Sequence, residues 1–279
     1  MFRRPQRGSE TGVWGGLKRR RRLSQALAQG RAQIAPLGPV PPLTAGLDDA
    51  PCGAYDIRIR REGPGFRLLP PPYRSDANAR GSIRRRWPAF LWWLMQAGPE
   101  VEEISGNTSD GDRPSLAHYC FSSYGAQVPL PDYYFFRDRG YAEFRARAQE
   151  AAQPWEARDD ALVWRGGPNG IGMISTDADM ARHPRLQQRV ALAMLCRGGP
   201  IDAKFVAAAS PDQAALFGAA GILGEVVPNL SWGGRKSAID LDGFSNAWDN
   251  LFHRLLLGCC VLKVESPFGF RQWFYDKLE

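Results

Sequence analysis

The chain has 279 residues, 44% hydrophobic and 23% charged, with 36 Lys and Arg against 29 Asp and Glu for a net charge of +7. That length and apolar content exclude a disordered chain and leave room for one large or two modest α/β domains. No apolar run reaches the ~18 residues a membrane-crossing helix needs, since the longest, Trp87 to Ala97, is broken by Pro88 and Gln96.

Only Lys18, Lys204, Lys236, Lys263 and Lys277 are lysines among the 36 basic residues, an Arg bias that suggests a GC-rich genome more than a nucleic-acid binder, so no nucleic acid is expected as partner. Five cysteines, Cys52, Cys120, Cys196, Cys259 and Cys260, make an odd number with no CxxC, which fits reduced thiols in a cytoplasm. The first residues carry Arg but no apolar core of signal-peptide length after them. Lys18 to Arg22, followed by Leu23, Ala26 and Leu27, is either a solvated tail or a basic helix touching anionic lipid peripherally at an inner membrane. Gly30 to Pro51, rich in Pro and Gly, reads as a linker or extended arm, which makes 1–51 a basic N-terminal segment outside the folded domains.

Folded structure is expected from residue 52. Tyr55, Ile57 and Ile59 alternate with charged residues, Glu62-Gly-Pro-Gly65 turns the chain, and Phe66, Leu68 and Leu69 return: a β-hairpin pattern. Ser82 to Ala97 has a helical apolar face, with the arginines Arg84 to Arg86 placed in its first turn, where the helix dipole disfavours cations. Val101 to Ser105 reads as a strand ending in the loop Asn107 to Asp112. A carboxylate just past a strand's carboxyl end is where α/β proteins keep their chemistry, although an Asx-rich loop is more often a plain turn. Val128-Pro-Leu-Pro-Asp132 precedes four aromatics, Tyr133 to Phe136, which are core or, for Tyr133 or Tyr134, a stacking surface for sugar. Gly140 to Gln153 is helical.

Leu162 to Trp164 is a strand running into Arg165-Gly-Gly-Pro-Asn-Gly-Ile-Gly172, a glycine-rich loop that is a weak phosphate signal by itself. Helices are expected from His183 to Cys196 and from Ser210 to Glu225. Ala238 to Leu241 reads as a strand stopping at an Asp242-Gly243 turn. A helix should follow, capped by Ser245 or Asn246, with Trp248, Leu251, Phe252, Leu255 and Leu256 on one face and Gly258 closing it. Cys259 to Val264 is then a strand buried on both faces, completing a βαβ unit whose helix start would attract phosphate. His118, His183 and His253 lack metal-ligand spacing, and no Asp-x-Asp-like carboxylate pair is read as following a strand, so no metal is expected.

DGFSNAW (242–248), LLLG (255–258), VLKVES (261–266) and QWFYDKL (272–278) together resemble the signature of glycosyltransferase family 90, the bacterial lipopolysaccharide-modifying and capsule-associated enzymes related to protein O-glucosyltransferases. Weaker echoes in the same order are EISGNTSDG (103–111), VPLPDYYFFRDRGY (128–141) and VWRG (163–166). The resemblance implies an α/β fold of two Rossmann-like lobes of the GT-B type. An acceptor-side N-terminal lobe would span 52–158, and a nucleotide-sugar-binding lobe 159–279 would be C-terminally truncated. It implies a nucleotide sugar, UDP-linked in the first instance, as donor substrate and no further cofactor. The acceptor would be a glycan or lipid-linked glycan hydroxyl in lipopolysaccharide or capsule synthesis, and transfer would proceed with inversion. It matches Asp110 to the family's catalytic base, with Asp112 as the fallback. Arg165, Gly166, Gly243, Ser245, Asn246 and Trp248 match its nucleotide-sugar contacts, and Tyr133 and Tyr134 its sugar or acceptor side. The alternative is a non-catalytic carbohydrate-binding or inactive truncated homologue.

Overall fold

The computed structural model describes residues 13–47, 50, 52–71, 77–123 and 125–278, so the side chain of Lys18 and Pro72 lie outside the described parts. The chain forms two compact units, one running to Ser109 with Arg113–Cys120, the other made of Asp110–Asp112 with Phe121 onward. Each is mixed α/β.

Among the described residues, the first unit opens with a helix. α1 spans Val13–Ile34, and a short strand β1, Leu43–Ala45, follows it. Arg20, Arg21 and Arg22 are exposed on α1, while Ala26 and Ile34 are buried. Gly30 is the reason α1 can sit close on the next helix, because a Cβ there would lie 2.0 Å from a ring carbon of the buried Trp87. A linker over 30–51 is therefore incorrect: Gly30 marks a helix contact, not a break. The hairpin is as expected: β2 (Asp56–Glu62) and β3 (Gly65–Leu69) are antiparallel, joined through Gly63-Pro64. α2 covers Ala77–Gln96, starting five residues before its expected onset. Arg84 to Arg86 therefore lie in its middle, where Arg84 and Arg85 are exposed and Arg86 is buried, donating to Thr108 O at 2.9 Å. β4 (Glu103–Asn107) pairs antiparallel with β2, and β5 (Tyr119–Cys120) runs parallel to β4. In this unit the sheet is mixed, in the order β1-β3-β2-β4-β5. Arg61 of β2 holds the end of α2, donating to the carbonyls of Leu94 at 2.6 Å and Ala97 at 3.0 Å that the helix leaves open.

The second unit holds β6 (Val128–Pro129), α3 (Tyr133–Arg137), α4 (Ala142–Ala151), β7 (Val163–Gly166), α5 (Gln188–Leu195), β8 (Asp202–Phe205), α6 (Pro211–Ala219), β9 (Ser237–Asp240), α7 (Asp249–Leu256) and β10 (Cys260–Lys263). Residues 121–158, grouped with the N-terminal lobe by sequence, belong here, with α4 packed on α7 and on the 3-10 turn Asn229–Gly234. β7 pairs parallel with β8, and β9 with β10. β7 and β9 lie side by side, preceded by a parallel bridge between Asp159 and Arg235.

Strand alternation sorts the core into two layers, as it must when side chains point to opposite faces in turn. Val163 and Ala238 pack with Ala148, Trp232 and Leu257. Their neighbours Trp164 and Ile239 pack with Val190 and Met194 of α5 and Phe217 of α6. Helices thus cover both faces of β7 and β9, which belong to two separate two-stranded parallel sheets, β7-β8 and β9-β10. β10 departs from expectation. Its apolar run predicts burial on both faces, yet Cys260 is exposed and Leu262 is 49% exposed, because β10 pairs on one side only among the described residues.

Candidate functional site

β7 crosses over to β8 on one side and β9 to β10 on the other, so the carboxyl ends of β7 and β9 flank a point where the winding reverses. Open α/β sheets bind ligands at such a point. Two loops meet there: Gly167 to Asn169 after β7, and Leu241 to Gly243 after β9. The residue that joins them is Arg189 on α5, only 7% exposed. Its Nε donates to Asp242 O at 2.8 Å and its Nη2 to Leu241 O at 3.1 Å. Its Nη1 donates to Gly167 O at 3.0 Å and to Asn169 Oδ1 at 2.6 Å. All four acceptors are neutral oxygens. Burial lowers the Arg189 pKa, and the more distant charges of Asp240 and Asp242 work against that shift.

Beneath this clamp lies a carboxylate pair. Asp240 is fully buried and Asp242 is 5% exposed, and Lys263 at the end of β10 sits between them, with Nζ 2.9 Å from Asp240 Oδ2 and 2.6 Å from Asp242 Oδ1. Burial would lower the Lys263 pKa, but the two carboxylates outweigh it and the net direction is upward. Asp240-Leu241-Asp242 is an Asp-x-Asp pair at the end of β9, which corrects the expectation that no such pair follows a strand; the spacing is in the sequence, but Asp242-Gly243 has the form of a plain turn. Here an ammonium from the same chain lies against both carboxylates. Among the described residues no group of three or more His, Cys, Asp or Glu could hold a metal ion.

Several buried polar atoms around these loops have no hydrogen-bond partner among the described residues: Asp240 Oδ1, Asp242 Oδ2, Ser245 Oγ, Asn246 Nδ2 and the Tyr275 hydroxyl. Tyr275 belongs to the same neighbourhood, its ring 5.7 Å from Lys263 Nζ, and burial raises its pKa. Native interiors leave few such groups unmatched, so a cluster of them marks a place where a polar ligand or water completes the pairing.

The sequence-matched residues fall into three sets. Gly243, Ser245 and Asn246 are at this site, but Ser245 and Asn246 do not cap the helix. α7 starts at Asp249 and its N-cap position is Trp248 at φ 54°, ψ −126°, with no side-chain cap. The polar run 242–246 spans the turn instead, and Asn246 Oδ1 accepts from Trp248 N at 3.1 Å. Trp248 meets Tyr134 with ring centroids 6.0 Å apart, while Tyr133 is largely buried beside it. Both tyrosines are on α3, which Asp132 caps by accepting from Tyr134 N and Phe135 N.

Arg165 points elsewhere. Its Nη2 is ion-paired with Asp202 Oδ2, its Nη1 donates to Asp202 O at 2.8 Å and its Nε to Glu225 O at 3.1 Å. Asp202 lies opposite Val163 in the ladder, so the guanidinium folds back from the carboxyl end of β7. It would reach a diphosphate only by giving up these acceptors. Gly166 is next in the chain, its absent side chain leaving space for the Trp164 ring.

Asp110 and Asp112 are half-buried. Between them Gly111 has φ +92°, and a Cβ there would lie 2.4 Å from Ser122 O, so this turn admits only glycine. The approach to it is fixed by the buried Asn107, Thr108 and Ser109: Thr108 O accepts from Ser82 Oγ and Arg86, and Asn107 Oδ1 accepts from Ser109 N at 2.7 Å. The composition of this stretch predicts an exposed Asx loop. Its polar residues are instead consumed in holding it in place.

Arg189, Asn169, Asp240, Lys263 and Tyr275 are functional candidates that sequence reasoning does not reach. Only the Asp-x-Asp spacing carried a readable signal. No family model matches the chain, and no curated protein matches it.

Proposed function

We propose that this protein is a nucleotide-sugar-dependent glycosyltransferase of the GT-B type related to family 90, moving a hexose or pentose from a UDP-linked donor to a hydroxyl of a glycan or lipid-linked glycan. The observation that carries the reading is the meeting of the two loops after β7 and β9, with unmatched buried polar atoms beside them, at the position where doubly wound sheets take nucleotides. The motif resemblance supplies the substrate class. In the reaction, the acceptor oxygen forms a bond to the anomeric carbon as the bond to the diphosphate breaks. The diphosphate leaves with the bonding electrons, and Asp110 takes the acceptor's proton. A hydroxyl becomes acidic only as that bond forms, so a carboxylate can accept its proton late in the step.

Lipopolysaccharide or capsule synthesis at the cytoplasmic side of an inner membrane is the setting that the resemblance and the exposed Arg20 to Arg22 support. Among the described residues no helix is long and apolar enough to cross a membrane. Calorimetric titration with UDP- and GDP-sugars tests the reading. A UDP-sugar that binds and is consumed in the presence of a glycan acceptor is the expected result; no binding by any nucleotide sugar would remove its basis.

A further inference from the structure

α1 and α2 touch where Gly30 admits the Trp87 ring, and nearer their N-terminal ends both helices line one cavity of about 420 Å³, partly open to solvent. Ligand sites usually enclose about 300–1,000 Å³. The floor of this one is aliphatic: Ala26 of α1, Leu68 of β3 and Ile83 of α2 are buried, and Leu23, Leu47 and Pro70 are half-buried around them. Its rim is cationic. Arg22 of α1 is exposed there with Arg80 and Arg84 of α2, which lie four residues apart on one helix face. Ion pairs in this unit hold Arg58, Arg60 and Arg67, and none among the described residues holds Arg22 or Arg84. Among the described residues no carboxylate and no aromatic ring lines the cavity.

Gly81 is an independent observation. It lies inside α2, where glycine disfavours the helix relative to alanine, yet a Cβ there would meet nothing within 4 Å. At Gly30 the missing side chain makes room for a ring; at Gly81 it leaves the cavity open.

We propose that this cavity binds a single lipid phosphate, with its aliphatic chain on the floor of Leu68 and Ile83 and its phosphate among Arg22, Arg80 and Arg84. The lining decides between ligand classes. An aliphatic floor takes hydrocarbon and offers a nucleobase no ring to stack on. Arginine forks match phosphate oxygens in a bidentate way, and three cations with no carboxylate in the described lining make the rim a place for an anion. Arg20 and Arg21 add exposed charge to α1 beside Arg22, which suits a helix that meets the anionic membrane surface from which such a lipid would come. Every lining residue belongs to the first unit, so the inference goes beyond the transferase reading and does not depend on it.

The test is calorimetry of the full chain with dodecyl phosphate below its micelle concentration, with inorganic phosphate and dodecyl maltoside each supplying one feature alone. Dodecyl phosphate should bind about tenfold or more tightly than either, because chain and phosphate both contribute. Gly81→Leu fills the cavity with a better helix former, so dodecyl phosphate should weaken about tenfold or more while the urea midpoint does not fall. Arg22→Gln and Arg84→Gln change exposed residues only, and each should weaken dodecyl phosphate about fivefold while leaving dodecyl maltoside as it was. Sedimentation with phosphatidylcholine vesicles, with and without phosphatidic acid, asks whether the lipid is taken at a bilayer: the parent should pellet only with phosphatidic acid, and Gly81→Leu should stay in solution. Dodecyl phosphate that fails to bind the parent, or that binds Gly81→Leu as tightly at an unchanged urea midpoint, overturns the site. Inorganic phosphate bound as tightly as dodecyl phosphate overturns the lipid and leaves a free-phosphate site. Should Gly81→Leu lower the midpoint, the two arginine variants decide, and unchanged binding in both overturns the site.

Discussion

Lys263→Met removes the ammonium lying against two buried carboxylates while keeping most of the side chain's volume. That ammonium is 2.9 Å from Asp240 and 2.6 Å from Asp242, and Asp240 has no exposure to solvent. Without it the two carboxylates face one another, and the neighbouring Arg189 spends its hydrogen bonds on carbonyls and an amide. Breaking a buried pair by removing one partner costs about 3–5 kcal/mol, and two carboxylates are stranded here, so the upper half of that range is expected at pH 7. The loss should shrink on acidification. In the variant at least one carboxylate has its folded-state pKa pushed above the unfolded value, so the folded state binds an extra proton. Stability then rises as pH falls through that folded pKa toward the ordinary carboxylate range near 4. The parent behaves differently at the other end of the scale. Its Lys263 pKa is raised by the carboxylates, so the stability that the lysine contributes is present below the unfolded lysine value and is lost as pH rises through the folded one. Urea denaturation at pH 5 and 7, followed by tryptophan fluorescence, reads the variant's deficit at both, and the parent's own loss falls above pH ~10.4. A variant as stable as the parent at pH 7, or one whose deficit is the same at pH 5, would refute the argument that this ammonium neutralises the pair.

Three further outcomes are expected. Gly30→Ala should lower the stability of the first unit by about 1–3 kcal/mol, the usual cost of overpacking, because its Cβ would meet the Trp87 ring at 2.0 Å; urea denaturation of the full chain checks this, and an unchanged midpoint would mean that α1 does not rest on α2 as described. Gly111→Ala should also destabilise, by about 1–3 kcal/mol from its positive φ and more from the approach to Ser122 O, and denaturation midpoints of the two variants compared with the parent measure it. Asp110→Asn should lower sugar transfer by about 10²–10⁴ fold with little change in donor affinity, while Asp112→Asn should cost little; loss of turnover in Asp112→Asn alone would move the base to that residue.

What could be read in the sequence was structure made by neighbours in the chain. The β2-β3 hairpin and the β9-α7-β10 unit were legible because alternation, a Gly-Pro turn and a closing Gly258 are local signals. β8 is not legible because its four residues include Asp202 and Lys204 and follow a Gly-Gly-Pro run that has the look of a loop. Its identity as a strand comes from pairing with β7 some forty positions earlier, which no window along the chain contains. The onset of α7 falls later than its caps predict for a related reason: Ser245 and Asn246 have the chemistry of N-caps, but tertiary structure buries them in the turn and starts the helix at Asp249.

The site divides along the same line. Asp242, Gly243, Ser245 and Asn246 could be singled out because they form one contiguous motif. Arg189 could not, since on a helix of apolar character it is indistinguishable from a solvated residue until α5 is laid against the loops after β7 and β9. Arg165 shows the converse: an Arg-Gly at a strand end is a good phosphate signal, yet Asp202, equally invisible as a partner in the sequence, occupies its guanidinium. Whether an arginine serves a ligand or the fold depends on which acceptors surround it. At Arg165 they include a carboxylate, which neutralises the charge within the protein. Around Arg189 the hydrogen-bond acceptors are neutral oxygens of the two loops, and the charges of Asp240 and Asp242 act on it without a direct bond.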